Sequence, residues 1–110
     1  MNNHYISIAD NFSQVPAGRY LVDGPYSGEY FRDEFLLPAL RSANTNRTTL
    51  TVNLDNTEGL GSSFLDEAFG GLVREHGYEP KELIKTIKLE GEEAMSKVYI
   101  KHIRSCINGE

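Results

Sequence analysis

The chain has 110 residues, 39% hydrophobic and 25% charged, with a formal net charge of −5 at pH 7. That size and balance fit one compact soluble domain over residues 1–110, and the acidic excess argues against a broad nucleic-acid surface, which needs clustered Lys and Arg to neutralise phosphates. No apolar run reaches the ~20 residues that span a bilayer, so no membrane partner is expected. Cys106 is alone and cannot form an internal disulfide, which points to a reducing, cytoplasmic compartment. The start, Met1 to Ile8, has neither the basic region nor the apolar stretch of a secretion signal.

In chain order, His4–Ala9 alternates around Tyr5, Ile6 and Ile8 and reads as a first strand. Pro16 and Gly18 mark a turn, and Arg19–Val22 reads as a second strand, closed by Asp23-Gly24-Pro25, so that the two form a hairpin. Ser27 is placed to cap a helix running to about Ala43, with Glu29 complementing the dipole in its first turn. Phe31, Phe35, Leu36, Leu37, Ala39 and Leu40 give that helix its apolar face, and Pro38 within it predicts a kink or a break and restart.

Thr49–Leu54 is the best central strand. The next helix runs from about Phe64 to His76, buries Phe64, Leu65, Ala68, Phe69, Leu72 and Val73, and stops at Gly77. Leu83–Leu89 carries the β-branched Ile84, Thr86 and Ile87 and reads as a further strand. Glu92–Ile107 forms a closing helix with an apolar stripe of Ala94, Val98, Ile100, Ile103 and Ile107. The order β-β-α-β-α-β-α predicts an α/β sandwich, a mixed sheet of about four strands packed with about three helices.

The most informative stretch is Gly59–Leu72, which joins the central strand to its helix through paired serines. Ser62 or Ser63 can cap the helix, and Asp66, three residues beyond Ser63, can complete a capping box. The same helix start offers unpaired amides and a positive dipole end to a phosphate, a carboxylate or a phosphorylated serine. Asp66 and Glu67 diverge by ~100° around the helix, so their expected role is dipole compensation rather than joint contact with one substrate. Gly70 and Gly71 in mid-helix cost roughly 1 kcal/mol each relative to Ala, which close packing against the sheet or another helix must offset. A second polar cluster, Arg19, Asp23, Ser27, Glu29 and Arg32, surrounds a glycine-rich entry to the earlier helix. Its two arginines can bind an anion in a fork geometry, or they can pair as Arg19–Asp23 and Arg32–Glu29 at the surface. His4, His76 and His102 lack metal-type spacing, and Cys106 has no obvious base beside it, so neither metal nor cofactor is expected.

Phe12-Ser13, Pro16 with Gly18-Arg19, Asp23-Gly24-Pro25, Ser27-Gly28-Glu29, Phe31-Arg32, Leu37-Pro38 and Gly61–Leu72 together resemble the bacterial STAS-like domain family of uncharacterised function. That family is related to sulphate transporter and anti-sigma factor antagonist domains, and the resemblance runs from Ile6 to at least Val73. In the antagonists an Asp-Ser-Ser-Gly-Leu type segment lies at a strand-to-helix junction, and a partner kinase phosphorylates its first serine to control docking. The resemblance puts Ser62 at that position, with Gly61 in place of the acidic residue and Phe64 in place of the glycine.

The resulting expectation is a non-enzymatic regulatory module that docks on a protein partner through Ser62, Ser63, Asp66 and Glu67, with a kinase-like ATPase as the leading candidate and a homodimer left open. The alternative is a sensor that holds a nucleotide or other anion with Arg19 and Arg32. A hydrolase using Glu29 or Asp23 with an arginine ranks below both.

Overall fold

The computed structural model describes residues 4–110; Met1–Asn3, part of the start expected to lack a signal segment, lie outside the described residues. Strand β1 is His4–Ser7, and helix α1 covers residues 28–45. Strand β2 is Leu50–Asn53 and helix α2 covers residues 62–74. Helix α3 (Pro80–Thr86) runs directly into β3 (Ile87–Glu90), and α4 (Ala94–Asn108) closes the chain. Among the described residues the sheet has three strands in the order β1-β2-β3, all parallel, with Ile6 opposite Val52 and Val52 opposite Leu89. The expected mixed sheet of about four strands is thereby corrected to a parallel sheet of three, with β2 central as the sequence predicts.

Two local competitions separate the observed elements from the expected ones, and the first removes the fourth strand. Arg19–Val22 does not form a strand, because side chains take its backbone donors. The Asp23 carboxylate accepts from the Arg19 and Tyr20 amides, and Glu29 accepts from the Leu21 amide, which leaves a 3-10 turn over Leu21–Asp23. Leu83–Thr86 is helical despite its β-branched residues. Pro80 fixes φ at the first position of α3, the Leu83 amide donates to the Glu79 carbonyl, and pairing with β2 begins only at Ile87.

Helix α1 starts as expected: buried Ser27 accepts from the Tyr30 amide. It passes Pro38 without breaking, because a π-helical turn at Arg32–Leu36 precedes it and the following segment carries the proline in its first turn. A second π turn, Asp66–Gly70, lies inside α2, and Gly77, at φ +71°, ends that helix with its amide on the Val73 carbonyl. In α4 the buried residues are Ser96, Ile103, Cys106 and Ile107. Ala94 and Val98 stand on its exposed side rather than in the expected stripe.

Ile6, Leu50, Val52 and Ile87 join Phe31, Leu36, Leu40, Phe64, Phe69 and Leu72 in the core between sheet and helices. On the other face of the sheet Tyr5 and Lys88 remain exposed, with Thr51 partly covered between them. No helix among the described residues is long and apolar enough to cross a membrane.

Helices α1 and α2 meet where α1 begins. A Cβ on Gly28 would stand 2.5 Å from the Phe64 carbonyl oxygen and 3.1 Å from the Glu67 Cβ. Helix propensity alone favours Ala over Gly by about 1 kcal/mol, but a backbone oxygen cannot move aside as a flexible side chain would. Gly28→Ala is therefore expected to destabilise the fold by about 1–3 kcal/mol, read as a lower urea midpoint.

Candidate functional site

The loop from β2 to α2 is anchored at several points. Asp55 accepts from the amides of Glu92 and Glu93 and from the Ser96 hydroxyl at 2.6 Å, tying the end of β2 to the start of α4. Those backbone amides, with Ser96, hold its carboxyl below the usual carboxylate range. The Glu58 amide donates to the Gln14 carbonyl, and the Leu60 amide donates to the Tyr99 hydroxyl. Gly61 is then the N-cap of α2, and no side chain caps it. This corrects the expectation that Ser62 or Ser63 caps the helix with Asp66 completing the box. Both serines are exposed. The first closing bond of the helix runs from the Leu65 amide to the Gly61 carbonyl, and among the described residues the amides of Ser62, Ser63 and Phe64 have no acceptor.

One turn further on, Asp66 and Glu67 gather three arginines. Arg32, 4% exposed, donates through Nη1 to Glu67 Oε2 at 2.6 Å and to the Glu67 carbonyl at 3.1 Å, and through Nε to Asp33 at 2.9 Å. Arg19 Nη1 reaches Asp66 at 2.7 Å and Glu67 at 3.4 Å. Arg74, a residue the sequence reading missed, reaches the same two carboxylates at 3.2 and 3.5 Å. Its spacing from Asp66 and Glu67 on one helix, eight and seven residues, was the signal that could have found it. The ~100° divergence of neighbouring positions is bridged because long guanidinium side chains approach from either side. His76 Nε2 lies 3.4 Å from Asp33 at the edge of the network.

The paired glycines make room for these charges. A Cβ on Gly71 would collide with the Arg32 guanidinium, and one on Gly70 would stand 2.9 Å from an Asp66 oxygen and 3.3 Å from the Cys106 carbonyl. Close packing is thus their role, against charged side chains and α4 rather than against the sheet. Burial pushes the Cys106 thiol up to about 11, aided by the neighbouring Asp66 charge, so the thiolate is disfavoured although His102 Nε2 lies 3.5 Å from Sγ.

The five residues of the predicted anion cluster are distributed among structural tasks. Ser27 caps α1, Asp23 and Glu29 hold backbone amides, and the guanidinia of Arg19 and Arg32 meet on Glu67. The expected pairs Arg19–Asp23 and Arg32–Glu29 do not form between side chains; Asp23 binds the Arg19 amide instead.

This geometry defines an α/β domain with a parallel sheet and a bare helix start behind its central strand. The profile of the STAS-like domain of unknown function (DUF4325) matches residues 27–97, and the chain belongs to that family. No curated protein and no solved structure matches it significantly.

Breaking the buried pair leaves an uncompensated charge, whereas removing both partners does not. Glu67→Ala is expected to cost about 3–5 kcal/mol in denaturant unfolding, and Arg32→Met combined with Glu67→Leu to recover most of that loss. The pH dependence has a definite sign. Burial alone raises the Asp66 pKa, but hydrogen bonds from Arg19 and Arg74 outweigh it and leave the carboxyl below its ordinary value. Its contribution is present above the unfolded value of about 3.9 and disappears as pH falls through that value and the lower folded one. Asp66→Asn should therefore flatten the acid limb of the urea-midpoint curve below about pH 4.

Proposed function

We propose that this domain, taken as residues 1–110, is a non-enzymatic regulatory module of the cytoplasm that docks on a protein partner through the start of α2, with Ser62 and Ser63 at the contact. The observation that carries this reading is the open corner itself: two exposed hydroxyls beside three amides that find no acceptor, on a helix that no side chain caps, among the described residues. A phosphoryl group on Ser62 would add up to about −2 charge there and would change the contact free energy of any docked surface. Resemblance to anti-sigma factor antagonists makes a kinase-like ATPase the leading class of partner. Anion sensing has less support, since Arg19 and Arg32 are already neutralised by Asp66, Glu67 and Asp33. Hydrolysis has less again, because Asp23 and Glu29 are occupied with backbone amides.

Ser62→Ala and Ser62→Asp should both stay within about 0.5 kcal/mol of the parent in stability, because the side chain makes no cap. Ser62→Asp should weaken binding to the kinase-like ATPase by about tenfold or more, about 1.4 kcal/mol by titration calorimetry, while Ser62→Ala retains it. Intact-mass analysis of protein from its native cells should find a phosphoryl adduct on Ser62. Absence of the adduct together with equal affinities for both variants would sink the switch.

A further inference from the structure

Six of the ten large hydrophobic side chains that stand exposed among the described residues fall between positions 15 and 30: Val15, Tyr20, Leu21, Val22, Tyr26 and Tyr30. Val22 is 90% exposed and Leu21 56%. Ring contacts and hydrogen bonds tie Tyr26, Tyr30 and the backbone of the Leu21 turn together. Tyr26, in the turn before α1, and Tyr30, in its first turn, both pack on Phe12, with centroids at 5.7 and 6.2 Å. The Ala17 amide donates to the Tyr26 carbonyl, and the Leu21 amide donates to Glu29, the neighbour of Tyr30.

The turn that carries Leu21 and Val22 is held rigidly. Asp23 accepts from the Arg19 and Tyr20 amides, and the Asp23 amide returns to the Tyr20 carbonyl. The amides of Gly28 and Glu29 donate to the carbonyls of Gly18 and Arg19, and Gly18, at φ +94°, leaves no room for a Cβ beside Asp23. The Arg19 guanidinium then clamps the segment onto α2 through Asp66. A fixed apolar turn of this kind loses little conformational entropy on docking.

Charge identifies what it fits. Residues 4–40 contain five carboxylates, Asp10, Asp23, Glu29, Asp33 and Glu34, of which Asp33 pairs with Arg32, against two arginines, Arg19 and Arg32, both engaged internally. Asp23 adjoins Val22, Glu29 holds Leu21, and Glu34 lies one turn beyond Tyr30. The apolar surface is therefore rimmed by acid. A second copy docked on the same patch would set one acidic rim against another, and an anionic lipid surface would meet the same repulsion.

We propose that the Tyr20–Val22 turn, flanked by Tyr26 and Tyr30, is the apolar anchor with which this domain docks on a protein partner whose matching surface is an apolar groove edged by Lys and Arg. The proposal rests on the reading of the domain as a protein-interaction module, and it does not require modification of Ser62.

The test uses two short amphipathic helical peptides of identical pattern, one of Leu and Lys and the other of Leu and Glu. Each is titrated into nitrogen-15-labelled parent protein, the double variant Leu21→Ser with Val22→Ser, and Ser62→Asp. The expected result is chemical-shift change centred on Tyr20–Val22, Tyr26 and Tyr30, with at least about tenfold tighter binding of the Leu/Lys peptide and about tenfold loss in the double variant. Both replaced side chains are exposed, so thermal unfolding should be unchanged and loss of binding is not loss of fold. Shift changes centred elsewhere, equal affinity for both peptides, or undiminished binding by the double variant overturns the proposal. So does self-association in sedimentation, or binding to phosphatidylserine vesicles, that depends on Leu21 and Val22. Loss in the double variant alone supports the anchor irrespective of the Ser62 switch; loss in Ser62→Asp alone overturns the anchor and leaves that switch standing.

Discussion

The crossing of α1 and α2 is organised around one buried ion pair, Arg32 with Glu67, at 2.6 Å. Charges removed from water are costly unless their remaining donors and acceptors are met. Here they are: Arg32 also binds the Glu67 carbonyl and Asp33, and Glu67 also receives Arg19 and Arg74. The surrounding chain is shaped to admit the pair. Gly71 clears space for the guanidinium, and Gly28 lets the helices approach until a Cβ would touch the Phe64 carbonyl. Both helices also widen to a π turn at this level, one beginning at Arg32 and the other containing Glu67. A π turn marks a place where local helix geometry yields to a tertiary demand.

From that pair the arrangement of the surface follows. Asp66, next to Glu67, draws Arg19 toward α2, and Arg19 brings the loop before α1 with it. Within the loop Asp23 and Glu29 satisfy amides that a sheet would otherwise have paired, so an apolar turn stands at the surface without becoming a strand. The cations of this region are consumed in holding the fold. Two surface features stand at this end of the fold: a helix start at Ser62 and Ser63 that no side chain caps among the described residues, and the apolar turn at Tyr20–Val22, tied to α2 through Arg19 and Asp66. In the docking proposed above, specificity would come from charge at the rim and affinity from the apolar centre, the usual division in protein interfaces.

The sheet has an unusual balance. Parallel sheets are commonly covered on both faces, yet the row of Tyr5, Thr51 and Lys88 stays at least partly exposed opposite the helices. Polar and charged residues on that row suit contact with water, whereas Ile6, Val52 and Leu50 on the other row supply the core. The strands are four residues each, short enough to limit the exposed edges that invite pairing with other chains.

Strong local signals were legible without coordinates. The Thr49–Leu54 run marked β2, helical spacing marked the buried face of α2, Ser27 marked the start of α1 and Gly77 the end of α2. Each is a short-range preference written in a few neighbouring side chains. The combined residue pattern also carried the family. Arg19–Val22 and Leu83–Thr86 held β-prone residues beside equally local capping and proline signals, and only the tertiary structure shows which of the two won. It alone decided the fate of the charged residues. Arg19 and Arg32 read as an anion site because spacing shows charge but not the carboxylates that will face it; Asp66 and Glu67 lie more than thirty positions further along the chain. Contacts over such separations are set by how helices cross, and that depends on the whole core at once rather than on any window of sequence.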